Sequence, residues 1–171
     1  GHAGTCRLLL RAAPDIAPAR DSDGLTPLHY AARCSGSCAV ARLLLDAGTA
    51  ADAAPDGVYF GFLTPLHMAA GSGHSDLVTL LLAAAPQAAA AVGPYCGTPL
   101  DLAIDSCTQC SRPGSARPDA YVAIVRQLLQ AAPSTAWQPF ADGQTPFARC
   151  MDVFQHWLGP PITPASWHET P

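Results

Sequence analysis

The sequence predicts an all-α solenoid, a row of short helical hairpins stacked side by side, and three observations predict it. One tetrad occurs four times, as Thr26-Pro27-Leu28-His29, Thr64-Pro65-Leu66-His67, Thr98-Pro99-Leu100-Asp101 and Thr145-Pro146-Phe147-Ala148, with starts 38, 34 and 47 residues apart. A leucine-rich segment keeps the same rhythm, at Leu8-Leu9-Leu10, Leu43-Leu44-Leu45, Leu80-Leu81-Leu82 and Leu128-Leu129. Alanines follow the first three tetrads, at Ala31-Ala32, Ala69-Ala70 and Ala103. Self-similarity at periods of about 20–50 residues is the mark of repeat architectures.

Each part of the repeat has a physical reason. Thr caps the first helix, and Pro takes its first position, where the missing N–H removes no helical bond. Leu28, Leu66, Leu100 and Phe147 then point inward, and the small alanines let neighbouring helices approach closely. A glycine turn such as Gly71-Ser72-Gly73 reverses the chain. The second helix offers apolar residues at helical spacing, for example Leu77, Leu80 and Leu81. One hairpin cannot bury both of its faces, so the hairpins must stack.

This grammar resembles the ankyrin repeat, a module of about 33 residues built from a β-turn and two helices. The fullest copy runs from Thr64 through Leu82, and the resemblance covers residues 1 to about 158. Gly1-His2 aligns with Gly73-His74, so a half repeat is expected over 1–20, from the second helix of a unit whose first helix would lie upstream. Full repeats are expected at about 21–58, 59–92 and 93–139, a capping unit at 140–158, and a proline-rich extended tail at 159–171. Two departures stand out: a lengthened aromatic tip, Val58 to Leu63, and about thirteen extra residues between the helices of the third full repeat, Cys107 to Asp119.

The resemblance implies a non-catalytic scaffold that holds another protein, or several in an assembly, along its concave side. Carried over position by position, that surface comprises Ser22, Asp23, Leu25, Tyr30 and Arg33; then Tyr59, Phe60, Phe62, Leu63, Met68 and Ser72; then Pro94, Tyr95, Asp101 and Asp105; and finally Asp142 and Gln144. Aromatic residues are enriched at interface hot spots, so the Tyr59-Phe60-Phe62 tip is the leading contact. The alternative is that those rings fold back onto the neighbouring tip. His29 and His67 are expected, by the same resemblance, to brace the loops rather than to bind metal.

Composition narrows the function. The net charge is −4, all nine basic residues are Arg, and charged residues make up 13% of the chain, which gives no clustered basic face for nucleic acid. No apolar run reaches the roughly 20 residues of a membrane span, and no secretory leader opens the sequence. The only Glu is Glu169, and Asp101 with Asp105 reads as a solvated or partner-facing acidic patch rather than a catalytic pair. No GxSxG, Walker, HExxH or GxGxxG signature occurs, so neither a cofactor nor a small-molecule substrate is expected. Seven cysteines, an odd number, argue for an intracellular, reducing setting without a disulfide framework. Cys107 and Cys110 form a lone CxxC, a weak candidate for zinc or redox chemistry without a second pair. Two other readings remain open at this point: a regulatory or targeting domain of a longer enzyme, and a thiol or zinc sensor at Cys107 and Cys110.

Overall fold

The computed structural model describes residues 2–55, 63–93, 97–109, 118–139, 143–146 and 148–149. The Tyr59-Phe60-Phe62 tip, Pro94, Tyr95, Cys110, Asp142 and the 159–171 tail lie outside the described residues, as does the side chain of Phe147. Helix α1 spans His2–Ala12, α2 Pro27–Tyr30, α3 Cys38–Asp46, α4 Pro65–Gly71, α5 Ser75–Ala84, α6 Pro99–Gln109 and α7 Pro118–Ala131. Among the described residues there is no strand, only an isolated bridge between Gly93 and Gly97 at a loop tip. The molecule is an all-α solenoid, as its repeat predicts.

The helices form two layers. In the inner row α2 packs on α4 and α4 on α6; in the outer row α1 packs on α3, α3 on α5 and α5 on α7. Each hairpin closes on itself through α2–α3, α4–α5 and α6–α7 contacts. Leu28, Leu66 and Leu100, the third residues of their tetrads, are fully buried between the layers. They meet Leu44, Leu77, Leu81, Ile124 and Leu128 from the outer row in one continuous core. Ala31, Ala32, Ala69, Ala70 and Ala103 are buried on the inner helices, where a methyl group is all the close spacing admits.

One irregularity in the spacing was not read from the sequence. Thr64 stands nine residues before Gly73, whereas Thr26 stands ten before Gly36, the equivalent turn glycine. The helix absorbs the extra residue by widening: Ala31–Ser35 follows α2 as a π-helical turn and closes on Gly36, whose N–H donates to the Ala31 carbonyl at 3.1 Å. A single inserted residue inside a helix commonly takes this form.

The third repeat corrects an expectation. The extra segment was placed as a loop from Cys107 to Asp119, but α6 continues to Gln109 and α7 already begins at Pro118. Cys107 is therefore half-buried on a helix and packed against the core. Part of the insertion extends the inner helix because Asp105, Ser106 and Cys107 continue its periodicity without a glycine or proline to stop it.

A second recurring device was not read from the sequence. Three outer helices end in Ala-Pro, at Ala13-Pro14, Ala85-Pro86 and Ala132-Pro133, and each runs into a 3-10 turn. The three alanines share nearly one backbone conformation, φ −147 and ψ 86, φ −147 and ψ 79, and φ −141 and ψ 77. Proline disfavours the helical conformation in the residue before it, and the same dipeptide stops each helix at the same height.

Candidate interaction surface

The loop tips are held by the tetrads. In the first, His29 Nδ1 accepts the Thr26 backbone N–H at 3.0 Å and lies 2.8 Å from the Thr26 hydroxyl. In the second, His67 repeats this with Thr64 at 3.2 and 2.9 Å, and its Nε2 donates to the Gly97 carbonyl at 3.2 Å. That last bond runs from one repeat to the tip of the next. An acceptor Nδ1 and a donor Nε2 require a neutral ring, and burial pushes both histidines down to about 4. These side chains serve as braces, as the resemblance implied.

Asp101 takes the histidine position in the third tetrad. Its Oδ2 accepts the Thr98 N–H at 2.6 Å, and its own N–H donates to the Thr98 hydroxyl at 3.4 Å. Its Oδ1 is buried with no hydrogen-bond partner, and burial raises its pKa. The expectation of an acidic surface patch therefore fails at Asp101, because a carboxylate at this slot is pulled inward to cap α6. Asp105, one turn later, is half-buried and pairs with Arg149 at 2.5 Å.

Leu25 and Met68 need the same correction. Both were placed on the docking surface, and both are buried in the core. Leu25 follows the tip glycine and turns under the loop, and Met68 faces the packed neighbours of α4. Of the remaining positions, Ser22, Tyr30, Arg33 and Gln144 are exposed, and Asp23, Leu63 and Ser72 are half-buried.

Tyr30 and Arg33 are brought together with two residues the sequence reading left out. The Tyr30 hydroxyl donates to Asp21 Oδ2 at 2.6 Å, and the Arg33 guanidinium sits 5.2 Å from the Tyr30 ring centroid. Asp21 Oδ1 also accepts the N–H groups of Asp23 and Leu25, both at 2.9 Å, which fixes the tip turn. The Tyr30 hydrogen bond holds the Asp21 carboxyl below its ordinary range and raises the tyrosine above its own. Arg20 Nη1 donates to the Gly24 carbonyl at 3.0 Å and the Ala54 carbonyl at 2.6 Å, tying this tip to the segment leading to the next. Asp21 was legible in principle: an Asp three residues before a turn glycine is the usual anchor of such a loop.

Nothing in this arrangement groups three or more His, Cys, Asp or Glu side chains around a metal position among the described residues. No described helix is long and apolar enough to cross a membrane. Residues 23–56 and 63–90 each match the ankyrin repeat family model. No curated protein matches the chain. Residues 23–90 thus hold two ankyrin repeats, and the α6–α7 hairpin stacked after them opens on the same Thr-Pro-Leu grammar at Thr98-Pro99-Leu100.

Proposed function

We propose that this chain is a non-catalytic scaffold in a reducing intracellular setting, and that it holds a partner protein against its tips and inner-helix face. Ankyrin repeats are in general protein–protein interaction modules, which sets the class. The observation that carries the specific reading is the Asp21–Tyr30–Arg33 group. A large aromatic side chain stands exposed on the inner row and is held in place by a hydrogen bond on one side and a cation on the other. A contact side chain that is already oriented loses less entropy on binding than a mobile one. Ser22, Ser72, Asp105 and Gln144 extend the surface.

The test compares the chain with its Tyr30→Ala and Arg33→Ala variants in co-purification from the native source, with unfolding curves run in parallel. The reading expects a defined set of bound proteins that both variants lose while their unfolding midpoints stay within about 1 kcal/mol of the parent, as for exposed residues generally. An unchanged set of bound proteins overturns it.

A further inference from the structure

The third tetrad puts an aspartate where the second has a histidine that joins two repeats. His67 works in both directions: Nδ1 accepts the Thr64 N–H at 3.2 Å, and Nε2 donates to the Gly97 carbonyl in the tip that follows. Asp101 reproduces the first half of this arrangement, since its Oδ2 accepts the Thr98 N–H at 2.6 Å. The second half needs a donor, and an ionised carboxylate has none. Oδ1 is the atom left for that task. Asp101 is 5% exposed, and no hydrogen-bond donor reaches Oδ1. The carboxyl is also held closely in place: Gly97 has φ +69 and lies against it, and a Cβ there would fall on Oδ2.

We propose that Asp101 is kept as a neutral acid whose Oδ1–H joins the α6–α7 hairpin to the tip at Gln144, so that this joint opens as the carboxyl ionises. The proton belongs on Oδ1 because the Thr98 N–H already points at Oδ2. Register supplies the acceptor. The Thr98 hydroxyl and carbonyl accept the N–H groups of Asp101 and Leu102 at 3.4 and 3.2 Å, and Thr145 accepts those of Ala148 and Arg149 in the same way at 3.2 and 3.1 Å. Gln144 before Thr145 therefore corresponds to Gly97 before Thr98, and its carbonyl to the one that His67 binds.

The surroundings favour the neutral form. A buried carboxylate oxygen that no donor reaches is costly when ionised, and neutralisation removes the cost. Asp105, one turn along α6, opposes a second negative charge; Arg149 favours one, and its guanidinium is paired with Asp105. On the α4 side stands His67, which is neutral and bound to the Gly97 carbonyl. From α7 come Tyr121, whose hydroxyl donates to the Gly71 carbonyl, and the apolar Ile124 and Leu128. The 3-10 turn Pro86–Ala90 brings no charge. This inference stands without the docking proposal, since it concerns a joint inside the stack.

The experiment titrates the full chain with carbon-13 at its aspartate carboxyls, the Asp101 signal being assigned by its loss in Asp101→Asn. Hydrogen exchange of residues 143–149 is read at the same pH values and corrected for intrinsic rates. The Asp101 carboxyl should titrate above the ordinary aspartate range, and protection of 143–149 should fall about tenfold as it does so. The Asp101→Asn amide keeps both an acceptor and a donor at every pH, so it should hold that protection throughout. Residues 77–81 should exchange alike in the two chains. Titration within or below the ordinary range overturns the proposal, as does the same fall at 143–149 in Asp101→Asn. An equal difference between the chains at 77–81 also overturns it, because the carboxyl would then act on the whole stack and not on one joint.

Discussion

His29 and His67 show how one side chain can join two repeats. Each supplies an acceptor to its own cap, and His67 adds a donor to the tip that follows. Replacing His67 by Ala leaves the Thr64 N–H and the Gly97 carbonyl without this partner, and should cost about 2–4 kcal/mol in urea unfolding. The pH dependence has a definite sign. Both rings titrate at about 4 when folded and near 6.5 when unfolded, so between those values the unfolded chain binds more protons. Stability is full above about pH 6.5 and falls as pH drops toward 4, by up to about 3 kcal/mol for each ring. His67→Ala should flatten this slope, which unfolding curves at pH 7, 5.5 and 4.5 would reveal. Asp101 acts in the opposite direction. Its folded pKa is raised, so its contribution worsens as pH rises through the carboxylate range, and Asp101→Asn should gain on the parent between pH 3.5 and 7.

At the scale of an element, the π-helical turn after α2 and the glycine that closes it invite separate tests. Gly36 has φ +56, in the left-handed region, and a Cβ there would run into the ring of His74 from the next repeat. Gly36→Ala therefore combines backbone strain with a steric clash, and should destabilise by about 1–3 kcal/mol in thermal or urea melts. Deleting Cys34 restores the nine-residue spacing of the second repeat. The deletion should fold with a urea midpoint within about 1 kcal/mol of the parent, since a regular α-helix recovers the hydrogen bonds that the π turn spaces out. A loss larger than about 3 kcal/mol would show that the core has adapted to the wider turn.

The whole molecule behaves as a one-dimensional stack in which each hairpin depends on its neighbours. Leu66 sits on the central inner helix and is fully buried. Leu66→Ala should cost about 2–5 kcal/mol and broaden the unfolding transition, because it weakens the contacts to both sides at once. Loss of a single sharp transition by circular dichroism would show that the ends then melt separately.

The tetrads were readable because cap, proline, leucine and alanine each answer a local requirement, and four copies in register leave little freedom of assignment. The extra residue before Gly36 and the Ala-Pro stops went unread although both are written in the spacing and the backbone chemistry of the sequence. What it did not carry was exposure. Leu25, Met68 and Asp101 sit at positions that face a partner in the general pattern, yet Leu25 and Met68 are drawn into the core and Asp101 into a cap. Leu9 and Leu81 are both the middle leucine of a Leu-Leu-Leu run four residues before an Ala-Pro pair, yet Leu9 is exposed and Leu81 is buried. Only the tertiary structure decides these, because burial depends on which helix arrives from elsewhere in the stack. The Asp21–Tyr30–Arg33 group was missed for the same reason: a loop and a helix nine residues apart meet only once the turn between them is folded.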